Sequence, residues 1–248
     1  PMNQKEIIQQ ALHMGDECHA RNVATTHIFI KKMAPYIAET SFSNDVKSEV
    51  FEFMGDNDLT YLNPLMASAK NMLDAGHGVE YSTVVTAMAR NGTDFGIRVS
   101  GLPDQWFAAK APKPDTLYFP GYEEGDEGGD IGDSTITETM GLGGFASATA
   151  PSVVKVVGGS VDDAIEHTKE MREITVTEHS SFSMPFMDFK GTSLGIDVRK
   201  VIDTGIQPFI NTGVAHHEPG EGSVGFGLVR APMECFTQAI KSFKKKYK

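Results

Sequence analysis

The sequence predicts a mixed α/β (α+β) fold: a small orthogonal helical bundle over residues 1–75 beside an irregular, glycine-rich α/β domain over residues 76–248. Two observations predict it. Only Gly15 and Gly55 fall within the first 75 residues, whereas the other 23 glycines lie between Gly76 and Gly227. At the same break the apolar spacing changes from the helical repeat to short β-type runs. Both changes put a boundary between Leu73 and Ser82.

Taken in order, Ile7, Ile8, Ala11, Leu12 and Gly15 keep helical spacing, as do Leu59, Leu62, Met66, Ala69 and Leu73. Between them, Ala24 to Ile37 and Val46 to Met54 are shorter helical stretches, the second with Asn44-Asp45 as its cap. Short helices at close spacing predict the orthogonal bundle. Beyond Gly76, strands are expected at Ser82–Met88, Phe95–Ser100, Thr116–Phe119, Gln207–Asn211 and Ser223–Val229. Val161, Ala164, Ile165, Thr168 and Met171 share a helical face, and so do Met233, Phe236, Ile240 and Phe243. Pro232 suits the first turn of that last helix.

Composition narrows the function. A formal net charge of -11 disfavours nucleic acid, whose binding draws on many Lys or Arg contacts to phosphate. No apolar run is long enough to span a bilayer, so no membrane is expected. Two cysteines, Cys18 and Cys235, form no CxxC pair, and a reducing cytoplasm fits them best. With no ligand spacing among cysteines and histidines, no structural zinc is expected. His13, Glu17 and His19 do not make His-Glu-x-x-His, and no Gly-x-Ser-x-Gly elbow occurs.

Three clusters carry candidate chemistry. Of six arginines, Arg90, Arg98, Arg199 and Arg230 lie inside or beside glycine-rich turns. A guanidinium fork matches carboxylate and phosphate, so each either clamps an anion or braces its loop against an acid. The second cluster runs from Asp130 through Ser134 and Thr135 to Glu138, followed by Gly141-Leu142-Gly143-Gly144; hydroxyls and glycines at a turn suit phosphate oxygens. Asp130, Asp133 and Glu138 are its candidate oxygen set for Mg²⁺, and no other cofactor is expected. The third, Asn211 to Gly220, holds His216, able to move a proton, and Asn211, able to polarise a carbonyl. Adjacent His216 and His217 on extended chain are expected on opposite faces. Gly92-Thr93-Asp94-Phe95-Gly96-Ile97-Arg98-Val99 echoes Gly191-Thr192-Ser193-Leu194-Gly195-Ile196-Asp197-Val198, which predicts equivalent turns converging on one cleft with Asn211 and His216.

Several segments together are more specific than any one: His13-Met14-Gly15-Asp16-Glu17 with Arg21-Asn22, and Ala87 to Thr93 with Phe95 to Gly101. Phe119-Pro120-Gly121-Tyr122, Gly132-Asp133-Ser134, Ile136-Thr137-Glu138-Thr139 and Gly141 to Phe145 follow. Gly195 to Lys200, Asn211-Thr212-Gly213 and Arg230 to Phe236 complete the set. In these the chain resembles the DUF1116 family of YlbE/AllG-type proteins, matching their later part, with a further N-terminal region ahead of it in family members. The resemblance implies a subunit or fragment of an oxamate carbamoyltransferase, in an oligomeric assembly with FdrA-like and DUF2877-type subunits at the end of allantoin breakdown. The implied reaction passes a carbamoyl group between carbamoyl phosphate and oxamate. The alternative is a non-catalytic subunit that binds a small anionic metabolite or organises the complex. The residues themselves then suggest Arg90, Asn91, Arg98 and Arg230 around the anionic groups, Ser134 and Thr135 at the phosphate, His216 as the proton acceptor and Asn211 at the carbonyl. The Ser-x-Arg-Thr signature of ordinary carbamoyltransferases is absent.

Overall fold

A computed structural model describes residues 2–156 and 159–248, an α+β arrangement of helices packed around small antiparallel sheets. Four helices come first: α1 (Gln4–His13), α2 (Val23–Ala38), α3 (Asn44–Asp56) and α4 (Leu62–Asp74). Asn3 caps α1 by accepting from the Lys5 amide at 3.1 Å. α3 is capped by Ser43 (3.4 Å to the Val46 amide) and not by Asn44-Asp45, because Ser43 holds the extended backbone that a capping residue needs. Leu59 lies outside α4 and is exposed, since the turn over 57–61 precedes that helix.

β1 (Val85–Asn91), β2 (Asp94–Val99) and β3 (Trp106–Lys110) follow as an antiparallel meander, with the two-residue β5 (Ile131–Gly132) on the far edge of β1. β4 (Asp115–Tyr118) pairs with β9 (Ser223–Arg230), which pairs with β8 (Phe209–Ala215). β6 (Thr175–Met184) and β7 (Lys190–Ile196) form a separate ribbon. Between β5 and β6 lie the single turn α5 (Ile136–Thr139), a buried 3-10 segment over Gly143–Thr149, α6 (Pro151–Val156) and α7 (Val161–Glu173). α8 (Val198–Thr204) and α9 (Met233–Lys246) complete the chain, with Pro232 standing at the cap of α9 and not inside its first turn. No helix among the described residues is long and apolar enough to cross a membrane.

Two apolar clusters result. One packs Val85, Ile97 and Phe107 of the meander against Phe236 of α9, Val201 of α8 and Ile210 and Val229 of β8 and β9. The other joins Ile7, Leu12, Ile28 and Leu65 of the first helices to Met140, Leu142, Phe182 and Met184. The helical stripes therefore close on side chains from beyond position 76, each buried Ile or Leu contributing about 1.5–3 kcal/mol. Between the clusters runs a polar seam.

Candidate functional site

The seam is built from two connections that must carry buried polar groups. The first is the link from α1 to α2. Gly15 and Cys18 adopt left-handed backbone (φ 81° and 66°), and the turn sends Asp16, Glu17 and His19 inward, all of them buried. Asp16 accepts from the Thr25 amide at 2.9 Å, so its carboxylate satisfies the first turn of α2 where Asn22 makes no side-chain cap. The second is the segment from Asp130 through α5 to Gly144. There Thr137 donates to the Ser134 carbonyl at 2.7 Å, fixing the turn that presents Ser134.

These two segments meet in one line of side chains. Ser134 Oγ lies 2.8 Å from His19 Nε2, and His19 Nδ1 lies 2.6 Å from Glu138 Oε1. Glu138 also accepts from the backbone amides of Gly144 (3.1 Å) and Asn211 (3.3 Å), and its other oxygen lies 3.0 Å from the Thr137 hydroxyl. A carboxylate serving so many donors offers the imidazole only an acceptor, so the neutral ring carries its proton on Nδ1. Nε2 then holds a lone pair that accepts from the Ser134 hydroxyl. Gly143, at φ 56°, permits the approach: a Cβ there would collide with the Glu138 carboxylate and sit 3.0 Å from His19 Cβ.

Burial sets the charge of the neighbouring acids. Desolvation raises Glu17 from 4.5 to about 8, with Glu138 and Asp16 adding repulsion against the Arg21 amide's and the Asn211 side chain's stabilisation. Desolvation likewise lifts Asp16 to about 6, offset by the Thr25, Cys18 and Ala24 amides. Glu17 therefore holds a proton at neutral pH while Glu138 takes the role of acceptor. Asn211 is fully buried, its side-chain amide facing the Glu17 carboxyl without a well-formed hydrogen bond, and neither end of that side-chain amide nor Glu17 Oε2 has another partner. Both leave hydrogen-bonding capacity for a bound group in the seam.

The structure brings some of the sequence candidates here and leaves others elsewhere. Ser134 is half-buried and on the line; Thr135 follows it, fully buried, its hydroxyl unpartnered. Arg90 is buried beside them across Gly132, where a Cβ would meet Ser134 Oγ at 3.3 Å and the Arg90 Cζ at 3.7 Å. Its guanidinium is engaged with Asp130 (2.9 Å) and Thr212 (2.8 Å), and Thr212 donates in turn to Asp130 at 2.9 Å. Asn91 caps the β1–β2 turn by accepting from the Thr93 and Asp94 amides. Arg98 holds His77 and the Pro103 carbonyl, each at 2.7 Å, and lies over Trp106. Arg230 pairs with Glu170 at 2.7 Å, over the Phe209 ring.

Two geometric expectations fail. The echoed segments differ in backbone: Gly92 has positive φ in a hairpin turn where Gly191 lies in β7, and Gly195 has positive φ where Gly96 lies within β2. Asp197 caps α8 and binds Thr83 and Arg199, whereas Arg98 is held by His77, the Pro103 carbonyl and Trp106, so the matched positions have no partner in common. The rings of His216 and His217 stack, with centroids 4.5 Å apart, because β8 ends at Ala215 and the chain turns. With Asp126 they form, among the described residues, a group whose ligand-type atoms all lie within 4.8 Å of one another. His217 donates through Nδ1 to the Asp126 carbonyl and has Nε2 3.9 Å from the Glu218 carboxylate, whereas His216 Nδ1 accepts the Glu218 amide. Asp130 and Glu138, the Mg²⁺ candidates, are taken up by Arg90 and His19, and Asp133 is exposed.

Glu17, His19 and Glu138, as an acid–base set, are what the sequence reading missed. Arg21 is a further omission: it is exposed in a cleft of about 310 Å³ beside Asn22 and takes part in no ion pair among the described residues. The available signal was the stretch Asp16-Glu17-Cys18-His19, four polar or reactive residues set between two helical patterns.

Comparison with known proteins adds to this geometry. A family model described as oxamate carbamoyltransferase subunit AllG matches residues 1–134. The chain is 48% identical over 241 residues to the uncharacterized protein YahG of Escherichia coli K12, covering 97% of this chain and 51% of that protein. It is 43% identical over 237 residues to the oxamate carbamoyltransferase subunit AllG of the same organism, covering 95% and 57%. A crystal structure of a conserved protein of unknown function from Enterococcus faecalis V583 is 47% identical. It superposes with a TM-score of 0.97 over 100% of this chain and 59% of that one. The chain spans about half the length of the curated relatives it matches.

Proposed function

We propose, since this chain belongs to the family of the oxamate carbamoyltransferase subunit AllG, that it forms part of a carbamoyl-transfer enzyme whose proton-handling centre is the line Ser134–His19–Glu138. The observation that carries this reading is that line itself, with its two hydrogen bonds at 2.8 and 2.6 Å. In the reaction, the amide nitrogen of oxamate joins the carbonyl carbon of carbamoyl phosphate and must shed a proton. His19 is the base suited to take it, its lone pair aimed by the Glu138 contact. A positioned base contributes about 10²–10⁴-fold. Arg90, held against Asp130, supplies fixed positive charge beside Ser134, while Thr135 and Asn211 offer unpartnered polar atoms for the donor's oxygens. Exposed Arg21 replaces Arg98 and Arg230 as the cation for an incoming carboxylate. FdrA-like and DUF2877-type subunits complete the assembly, in the cytoplasm.

The test is phosphate-dependent cleavage of oxalurate by the full-length protein co-expressed with those partners. His19→Ala should lower the rate by about 10²–10⁴-fold; wild-type turnover in that variant would remove His19 from the chemistry. A second reading, a metabolite-binding or assembly subunit without chemistry of its own, is favoured by one observation. Arg90, Arg98 and Arg230 are all committed to protein partners. Under that reading, His19→Ala leaves turnover intact and only weakens association with the partners.

A further inference from the structure

We propose that Ser134 is a nucleophile which carries the transferred group covalently, so that the transfer runs in two half-reactions through a carbamoyl-Ser134 ester. This rests on the carbamoyl-transfer reading above and adds a step to it. A serine hydroxyl is a weak nucleophile unless a base beside it removes its proton and a third group orients that base. Here Ser134 Oγ meets Nε2 at 2.8 Å, Nδ1 meets the Glu138 carboxylate at 2.6 Å, and the carboxylate is immobilised by the Gly144 and Asn211 amides. The roles are thereby separated: Ser134 reacts, His19 moves the proton, and Glu138 is a positioning residue. Ser134 is half-buried, whereas His19 and Glu138 are sealed behind it, so the hydroxyl is the member of the line presented outward. Its position also suits an anionic donor, because the Arg90 guanidinium lies on the other side of Gly132.

The steps balance. In the first, Oγ bonds to the carbonyl carbon of carbamoyl phosphate, the bond from that carbon to the phosphate oxygen breaks, and the Ser134 proton passes to His19 Nε2 and on to phosphate. In the second, the amide nitrogen of oxamate bonds to the carbamoyl carbon and the ester bond to Oγ breaks. The nitrogen's proton returns through His19 to Oγ, and oxalurate leaves.

The experiment uses the full-length protein with its partners and follows radiolabelled phosphate into carbamoyl phosphate when oxamate is omitted. A covalent carrier predicts exchange, reduced about a hundredfold or more in Ser134→Ala and in His19→Ala, and a carbamoyl adduct on the Ser134 peptide of acid-quenched wild type. Glu138→Gln should displace the pH profile of exchange, which a purely structural role for Glu138 would not do. Transfer to oxamate without exchange, exchange undiminished in Ser134→Ala, or a quenched wild-type peptide free of adduct would overturn the nucleophile and leave carbamoyl transfer standing. If no transfer to oxamate occurs with any partner, it is the functional reading that falls. Labelling by an activated carbamate ester then decides the nucleophile on its own: an adduct at Ser134 supports it, and an unlabelled Ser134 ends it.

Discussion

Glu17 shows what burial does to a single side chain. Its carboxyl is taken out of water beside Glu138 and Asp16, and it keeps its proton up to about pH 8. The folded value lies above the unfolded one, so the contribution to stability is fully present below about 4.5 and is lost as pH rises through about 8. Asp16 adds the same trend between 3.8 and about 6. Thermal melts of the wild type should therefore fall in midpoint across that range, while Glu17→Gln, which keeps a neutral polar group, should flatten the decline. Parallel curves for the two proteins would show that Glu17 titrates as in the unfolded chain. At the same scale, Gly143→Ala should suppress turnover together with stability, because the new methyl enters the space that His19 and Glu138 share. A variant with normal melting and normal rate would contradict that crowding.

Elements are coupled through the seam by a few paired side chains. Arg90 on β1, Asp130 ahead of β5 and Thr212 on β8 tie two sheets together with every charged atom out of water. Arg90→Met strands the Asp130 carboxylate and should cost about 3–5 kcal/mol in denaturant unfolding. Replacing Asp130 by Asn in the same chain should recover part of it, and no recovery would mean that Arg90 acts by packing alone. The elements themselves were unequally legible. α1, α4, α7 and α9 bury one stripe each, and a stripe leaves a 3.6-residue signature, whereas α2 buries only Ala24, Thr25, Thr26 and Ile28 near its N-terminus. β6 was not foreseen because most of Thr175–Met184 is polar and partly exposed, its apolar anchors Phe182 and Met184 coming only at the end. The 3-10 segment Gly143–Thr149 is buried throughout and, Phe145 apart, built of small residues, so no periodicity marks it. His19 is not legible as a site residue for a different reason. Its partners lie 115 and 119 residues away, and no local spacing can encode such a meeting. The hydroxyl and glycine cluster around Ser134 was visible because turn chemistry is local.

On the scale of the whole molecule, the first helices depend on what comes after them. Their stripes close on Met140, Phe182 and Met184, and the loop joining α1 to α2 closes on α5. The fragment 1–75 should therefore show helical dichroism without a cooperative melt, and adding it to 76–248 should not restore full stability. A sharp transition in the isolated fragment would establish a self-sufficient helical domain. The two thiols bear on the same question in another way. Cys18 sits in the helical cluster next to His19, and Cys235 in the sheet cluster; both are buried, and burial pushes both thiols upward, Cys235 to about 12. Neither can meet a reagent until its own surroundings part. The chain thus carries two natural clocks, one in each cluster, and the ratio of their labelling rates reports whether the halves breathe together or whether the half that holds His19 opens first.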